Sequence, residues 1–358
     1  MHSSIFSSRL QVKHVDSTVT AGRTWRTVWL LALLLVALSL SSLEVLLRME
    51  GHRPSIVDDV HLWSYYRAKI NEAPSTTVAL LGDSRMQLDI DTAVMRQRLP
   101  GITVIQLAVD GSNPLPTLVD LLNDQTFHGL IICTVTEDRL NSFGERPSGV
   151  QQEYVTYYHQ PWKGSAYLDR LVSLWLQAHL VIINPSVRLE RLTYNLFWKQ
   201  QLPTPDYLIT LPDRSRQADY ATEALDRLRT RRIQQAQESL AMPVPTPEEW
   251  LDNALTLEPQ LQRFQARGGK VAFVYFPISD ATLAAANQRF PRAHYWDKFA
   301  QATSAQTVHF LDTPALATFD PPDTSHLDYR DTPAFTNALV DQLDRFGFFD
   351  QVEPHQPH

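Results

Sequence analysis

The sequence predicts an α/β fold in which a parallel β-sheet carries helices on both of its faces. Short, β-branched apolar runs alternate along the chain with helical stretches, and Gly or Pro marks many of the turns between them. This alternation is typical of buried parallel strands joined by crossover helices. The predicted strands are Val78–Leu81, Ile102–Val109, Leu130–Thr136, Lys270–Phe276 and a short Thr307–Leu311.

Helical stretches fit the segments between these strands. The first covers roughly residues 88–99, the second continues through 117–123, and the last fits Pro333–Phe346. Residues 141–266 carry few strand signals, and we predict a largely helical insertion there. Within it, the apolar segment Leu171–Ile183 is too short to cross a membrane, so it is either a core helix of the insertion or a surface that contacts lipid.

An apolar segment near the N-terminus predicts a membrane anchor. Residues 28–47 contain one charged side chain, Glu44, and twenty residues of helix cross a hydrocarbon core. More basic residues precede this segment than acidic ones, which favours a cytoplasmic N-terminus. The predicted organisation is a cytoplasmic segment 1–27, a transmembrane signal anchor 28–47, a linker 48–75, a main domain 76–350 with the insertion at about 141–266, and a polar tail 351–358.

Two alternatives to an uncleaved anchor fit less well. A cleaved signal peptide needs a shorter apolar region and a small-x-small site, for which Ala37-Leu38-Ser39 is a poor candidate. A buried core helix is less consistent with a terminal run that is apolar on all sides. We therefore expect a single-pass protein of a bacterial inner (cytoplasmic) membrane, with its main domain on the periplasmic or extracellular side.

Composition narrows the possible partners. The formal net charge is −7, which argues against a nucleic-acid-binding protein. The apolar fraction of 44 % is that of a globular chain. Cys133 is the one cysteine, so the chain has no intramolecular disulfide, and its place in a strand indicates an inert core residue. No Cys/His spacing predicts a zinc site, and we expect neither a metal nor a cofactor.

The tetrapeptide Gly82-Asp83-Ser84-Arg85 follows the first predicted strand directly. Parallel sheets bind ligands at the carboxyl ends of their strands, so the Ser84 hydroxyl is expected in that crevice. The Ser84 N–H, near a helix start, can face a developing oxyanion. The structural alternative is a plain turn in which Asp83 or Ser84 caps the helix.

Two further motifs stand where they can reach Ser84. In Asp323-Thr324-Ser325-His326, a base and its orienting carboxylate lie three residues apart in one loop, as a serine nucleophile requires. The stretch 106–113, at the end of the second strand, offers the Gly111 N–H and the Asn113 amide as oxyanion donors. An ordinary turn and a capping histidine are the structural alternatives.

Together the three motifs resemble the SGNH/GDSL hydrolase superfamily, over roughly residues 76–140 and 268–348. The resemblance implies a flavodoxin-like three-layer α/β/α fold. It also implies Ser84 as nucleophile, His326 as general base and Asp323 as its orienter, with oxyanion donors at the N–H groups of Ser84 and Gly111.

The chain departs from the family pattern at two places. Gln106 stands where the glycine block usually has Asn, and Thr136-Glu137-Asp138 replaces the family's G-x-N-D block after the third strand. Asn113, or Asn141 as the alternative, is therefore the expected third oxyanion donor. Arg85, beside the nucleophile, is expected either to bind an anionic group of the substrate or to pair with an acidic side chain.

A membrane-anchored SGNH domain with a long insertion resembles proteins associated with O-acylation of exported polysaccharides. The resemblance implies a serine-dependent O-acyltransferase or esterase acting on acyl esters, acetyl above all, of an exported or cell-envelope glycan. A multi-span membrane acyltransferase is an expected partner. The alternative is a non-catalytic SGNH-like module that binds glycan or scaffolds a synthesis complex.

Overall fold

The computed structural model describes residues 18–160, 164–221 and 225–350. The chain divides into two compact units, Met1–His52 and Arg53–His358. Residues 1–17 of the predicted cytoplasmic segment and the predicted polar tail 351–358 lie outside the described residues.

The first unit contains the predicted apolar helix. Helix α1 spans Thr18–Met49, and the part from Thr24 to Met49 is long and apolar enough to cross a membrane. Helix α1 is therefore a candidate membrane span, and a signal sequence would have the same length and composition. Cleavage and the side of the membrane stay predictions.

The second unit contains the predicted parallel sheet. Five strands form this sheet, and every pairing in it is parallel. Their order is β2 (Thr103–Gln106), β1 (Thr77–Leu81), β3 (Leu130–Thr134), β6 (Lys270–Tyr275) and β7 (Gln306–His309). This order places a topological switch point at the carboxyl ends of β1 and β3. The strands of the described residues are β1 Thr77–Leu81, β2 Thr103–Gln106, β3 Leu130–Thr134, β4 Leu208–Thr210, β5 Arg216–Ala218, β6 Lys270–Tyr275 and β7 Gln306–His309. The α/β fold prediction is confirmed.

The central strands are buried over their whole length. All five residues of β1 and all five of β3 are buried, and Val78 aligns with Leu130 in their register. Consecutive apolar residues are needed because helices cover both faces of such a sheet. Cys133 is fully buried in β3, and burial raises the pKa of its thiol.

Helices connect and cover the strands. The predicted helix 88–99 is two helices, because Asp91 caps a new one by accepting from the Ala93 and Val94 N–H groups. The helices after α1 are α2 Val60–Lys69, α3 Ser84–Leu88, α4 Thr92–Arg98, α5 Leu115–Asn123, α6 Glu137–Asn141, α7 Val150–Tyr158, α8 Gly164–His179, α9 Leu189–Tyr194, α10 Leu225–Ser239, α11 Pro247–Ala254, α12 Glu258–Ala266, α13 Asp280–Arg289, α14 Trp296–Ala302, α15 Pro314–Ala317 and α16 Thr332–Arg345.

Residues from Arg53 onward, within the predicted linker 48–75, belong to the second compact unit. Helix α2 lies in this stretch, and its Trp63 is fully buried, with the indole N–H donating to the Leu107 carbonyl at 2.9 Å. Arg67 of the same helix is 2.7 Å from Asp120 and 2.9 Å from Asp124. These contacts make α2 part of the core rather than a spacer.

The insertion 141–266 is largely helical, with one strand pair that the sequence analysis missed. Strands β4 and β5 form an antiparallel pair, each three residues long, too short for a periodic signal. The C-terminal part of the predicted insertion packs against the sheet, because Trp250 of α11 and Phe264 of α12 are fully buried in the main core.

The apolar segment Leu171–Ile183 is not a core helix on all sides. Val172 and Trp175 on α8 are each 60 % exposed, whereas Val181, just after the helix, is fully buried. One side of the segment therefore faces outward, and contact with lipid stays a prediction.

Candidate active site

The turn after β1 presents Ser84 at the carboxyl end of the sheet. Gly82 has a φ of +148°, and a Cβ at this position would collide with the Thr134 side chain on the neighbouring strand. Asp83 caps α3 by accepting from the Arg85 N–H at 3.1 Å. Ser84 is thus the first residue of a short helix at the sheet's switch point.

The structure brings Ser84, His326 and Asp323 together in one hydrogen-bonded line. Ser84 Oγ is 2.8 Å from His326 Nε2, and His326 Nδ1 is 2.9 Å from Asp323 Oδ2. When Nδ1 carries the proton and donates a hydrogen bond to the Asp323 carboxylate, Nε2 is free to accept a hydrogen bond from the Ser84 hydroxyl. His326 and Asp323 are both 2 % exposed, so the imidazole is held in this orientation away from solvent.

The Asp323 carboxylate is held in its ionised form. Burial acts to raise the pKa of Asp323, but hydrogen bonds from His326 and from the backbone N–H groups of Ser325 and His326 outweigh it and lower the pKa to about 2. The backbone bonds are 2.9 Å from Ser325 N and 2.7 Å from His326 N, both to Oδ1. Oδ2 remains available to the imidazole.

A buried carboxyl ties the histidine loop to the nucleophile helix. Asp89, the residue after α3, accepts from the Leu327 N–H at 2.9 Å. Asp89 is fully buried, and burial raises its pKa well above the ordinary value. Thr324, in the same loop, has a φ of +73°, and its hydroxyl is 2.7 Å from that of Thr282. The loop geometry is therefore fixed from two sides.

Two backbone N–H groups are placed as oxyanion donors. Ser84 and Gly111 both line the cleft beside the nucleophile, and neither N–H has a hydrogen-bond partner among the described residues. Gly111 has a φ of +65°, which favours glycine. An anionic oxygen in the cleft could accept from both groups.

Asn113 and Asn141, the residues expected to supply a third oxyanion donor, both hydrogen bond to groups outside the cleft lining. The Asn113 amide donates to Ser142 Oγ, and its carbonyl oxygen accepts from the Leu115 N–H. Asn141 Oδ1 accepts from Asn253. Neither lines the cleft, because each is used in a local turn or in packing of the insertion.

Gln106 braces the nucleophile turn rather than lining the cleft. It is buried, with Nε2 donating to the Met86 carbonyl at 2.9 Å and Oε1 accepting from the Ala108 N–H at 3.0 Å. Gln151 of α7 donates to the Gly82 carbonyl and to Ser112 Oγ, both at 2.9 Å. These two amides connect the turn after β1 to the loop after β2.

A cleft of about 440 Å³ opens beside Ser84. It contains several residues that the sequence analysis did not single out as site residues. Glu137 could have been predicted from its position, because it follows β3 as Ser84 follows β1, and parallel sheets bind ligands at the carboxyl ends of their strands. The cleft's polar and charged lining consists of Asp83, Ser84, Arg85, Thr136, Glu137, Asp138, Arg139, Arg232, Gln235, Ser239, Tyr275, Thr282, Arg289 and Ser325.

Glu137 is a buried carboxyl at this cleft. Its side chain hydrogen bonds with Tyr275, the last residue of β6. Burial raises the pKa of Glu137 to about 7, and the hydrogen bond from Tyr275 offsets only part of this rise. Glu137 is therefore a mixture of acid and carboxylate near neutral pH.

Known proteins resemble this chain in structure rather than in sequence. No sequence profile of a known family matches the chain, and no curated protein matches it. Within the described ranges, no group of three or more His, Cys, Asp and Glu side chains is arranged to hold a metal ion. The chain is similar to the crystal structure of TesA, with 13 % identity, a TM-score of 0.36, and coverage of 75 % of this chain and 98 % of that one.

Proposed function

We propose that this protein is a serine-dependent esterase or O-acyltransferase that works through an acyl-serine intermediate. The observation that carries the proposal is the line from Ser84 Oγ to His326 Nε2 at 2.8 Å and from His326 Nδ1 to Asp323 Oδ2 at 2.9 Å. A nucleophile, a base and an orienting carboxylate in this order are the requirements of acyl transfer to serine.

In the first half-reaction, Ser84 Oγ attacks the acyl carbonyl carbon while His326 Nε2 takes the hydroxyl proton. The Asp323 carboxylate stabilises the imidazolium that forms. The N–H groups of Ser84 and Gly111 donate to the oxyanion of the tetrahedral intermediate. Collapse of that intermediate breaks the bond to the alcohol oxygen, which leaves with the proton from His326.

In the second half-reaction, an acceptor attacks the acyl-serine carbonyl carbon and gives its proton to His326. Collapse of this second tetrahedral intermediate breaks the bond from the acyl carbon to Ser84 Oγ, which takes the proton back from His326. Water as acceptor makes the protein an esterase, and a sugar hydroxyl makes it an O-acyltransferase. The outcome depends on how well the cleft excludes water and holds the acceptor.

We further propose that the acyl group is acetyl and that the substrate is an exported or cell-envelope glycan. This step rests on the family resemblance of the motifs and on the apolar helix α1, which would hold the protein at a membrane. A multi-span membrane acyltransferase as acyl donor belongs to the same proposal. The cleft volume of about 440 Å³ is within the range of small-molecule sites.

The proposal is tested with the full-length chain in detergent and a chromogenic acetyl ester. Ser84→Ala and His326→Ala should each lower kcat/KM at least ~10³-fold, because the triad acts as a unit. Ser304→Ala and His128→Ala, which change the same residue types away from the cleft, serve as controls and should keep wild-type rates. Equal rates in all five proteins would contradict the enzyme proposal and favour the glycan-binding module. An oligosaccharide acceptor then separates transfer from hydrolysis.

A further inference from the structure

We propose that the substrate of this site carries an anionic group, a carboxylate or a phosphate, on its alcohol side, and that Arg85 and Arg232 bind it. The inference rests on the proposed esterase chemistry and adds the chemical class of the substrate.

The cleft beside Ser84 has two chemically different linings. One is apolar and comes mainly from α13 and its surroundings, with Ile278, Ala285 and Phe290. The other is basic, with four arginine side chains in a cavity of about 440 Å³. An acyl group suits the apolar lining, and the arginines are available to the remainder of the ester.

The four arginines differ in how far their charge is neutralised. Arg289 is committed, because its two terminal nitrogens contact both carboxylate oxygens of Asp138, the longer contact being 2.9 Å. Arg139 reaches Asp83 only at 3.9 Å. Arg232 lies 3.7 Å from Asp323 Oδ2, which already faces His326 at 2.9 Å. Arg139 and Arg232 thus retain donors for a ligand.

Arg85 is a cation held by neutral acceptors. Its Nε donates to the Ser325 carbonyl at 3.3 Å and its Nη2 to Ser325 Oγ at 3.2 Å. No carboxylate within the described residues lies within ion-pair distance of it. Ser325 precedes His326 in the chain, so this guanidinium is fixed beside the reacting groups. A partly desolvated guanidinium with neutral partners favours an oxyanion ligand.

The sign of charge in the cleft is opposite to that of the chain. The whole sequence has a net charge of −7, but four arginines line the cleft against Asp83, Glu137 and Asp138. Burial raises the pKa of Glu137 to about 7, so near neutral pH this carboxyl is only partly ionised. A positive cleft in an acidic protein attracts anions locally.

The experiment compares two esters of similar shape with the full-length protein. One is 4-acetoxybenzoate, which carries a carboxylate, and the other is its neutral methyl ester. The wild-type protein should prefer the anionic ester at least ~10-fold in kcat/KM, as expected for a charge-assisted hydrogen bond. In Arg85→Gln and in Arg232→Gln the ratio should fall toward one. Arg98→Gln, which alters an exposed arginine paired with Asp341, should leave the ratio unchanged.

A third ester, 4-acetoxyphenyl phosphate, distinguishes a phosphate-binding site from a carboxylate-binding one. The anionic ester with the larger kcat/KM relative to the methyl ester identifies the anionic group that the site prefers. If the wild type turns over both anionic esters no faster in kcat/KM than the methyl ester, the inference is overturned. The proposed function still stands in that case, provided that turnover of the methyl ester depends on Ser84. An undiminished ratio in Arg85→Gln and Arg232→Gln would overturn the assignment to these residues. Absence of Ser84-dependent turnover of all three esters would overturn the proposed function and this inference with it.

Discussion

The Tyr220 hydroxyl lies 3.1 Å from Oδ2 of Asp323, the carboxylate oxygen that also faces His326 Nδ1. Tyr220 follows β5, so the insertion directly contacts the carboxylate proposed to orient His326. The same segment donates from Tyr220 N to Asp328 Oδ2 at 2.9 Å, and Tyr329 N donates to the Ala218 carbonyl at 3.0 Å. The β4–β5 pair therefore supports the loop that carries Asp323 and His326.

Tyr220→Phe should lower kcat roughly 3–10-fold and leave KM close to the wild-type value. The change removes one hydrogen bond to the carboxylate that orients His326 and leaves the ring packing intact. Steady-state kinetics with the acetyl ester measures both constants. Tyr207→Phe, whose ring centroid is 6.1 Å from that of Tyr220, is the matched control. A lowered melting temperature with unchanged kcat would instead assign Tyr220 a purely structural role.

The central strands β1, β3 and β6 could be predicted because each is a largely apolar run buried on both faces. The β4–β5 pair could not, since three-residue strands have no measurable period. Helix α2 was hidden for another reason. Its buried residues, Leu62, Trp63, Ser64 and Arg67, mix apolar and polar side chains and form no apolar stripe in the sequence. What holds the helix is Trp63 in the core and the ion pairs of Arg67, which depend on distant parts of the chain.

At the site, too, contacts between neighbours in the sequence could be predicted, whereas contacts between distant residues could not. Asp323 and His326 are three residues apart in a loop, so their contact is local and spacing alone could suggest it. Tyr220 lies 103 positions from Asp323, and no local pattern connects them. The partner of Asn113 was equally hidden, because its amide donates to Ser142, which lies 29 positions away in the chain.

Glu137→Gln should remove a pH dependence of folding stability. The pKa of the buried carboxyl is raised from 4.5 to about 7, so the native state binds a proton more tightly than the unfolded state. Its stabilising contribution is complete below pH 4.5 and is lost as the pH rises through 7. The full effect is about 3 kcal/mol.

Urea unfolding at pH 5 and pH 9 gives the change in the free energy of unfolding between the two pH values. The effect of Glu137 is the difference in this change between the wild type and Glu137→Gln. The wild type should lose about 3 kcal/mol more than Glu137→Gln between the two pH values. Glu153→Gln, on the partly exposed α7, is the control for a glutamate elsewhere. Parallel pH profiles for wild type and Glu137→Gln would show that Glu137 is ionised throughout this range.

Asp89→Ala should destabilise the protein by about 1–3 kcal/mol, whereas Asp89→Asn should cost less. The alanine leaves the buried Leu327 N–H without its acceptor, and the asparagine keeps a carbonyl oxygen in the same place. Urea unfolding at pH 6 measures both changes. Because Leu327 follows His326, Asp89→Ala should also lower kcat. Equal stabilities for the two variants would mean that the Leu327 hydrogen bond contributes little.

Arg214→Gln should destabilise the protein by about 3–5 kcal/mol, the range for breaking a buried ion pair. The Arg214 side chain is fully buried and contacts Asp58 at 2.6 and 3.0 Å. It also donates to the carbonyl oxygens of Gln106 at 2.7 Å and Ala108 at 3.1 Å. Removing the guanidinium leaves the Asp58 carboxylate with the Gln87 amide but without its cation, and leaves two buried carbonyls without the guanidinium donors.

The matched control is Arg98→Gln, which breaks an exposed pair with Asp341 at 2.6 Å and should cost less than about 1 kcal/mol. The double variant Arg214→Gln with Asp58→Asn separates the pair from the carbonyl contacts, and it should be less destabilised than the two single effects added together. Because Ala108 lies three residues before Gly111, Arg214→Gln should also weaken the proposed oxyanion site and lower kcat in the acetyl ester assay. A cost for Arg214→Gln no larger than for Arg98→Gln would mean that water replaces the guanidinium, and that the loop after β2 is held by Gln106 and Gln151 instead.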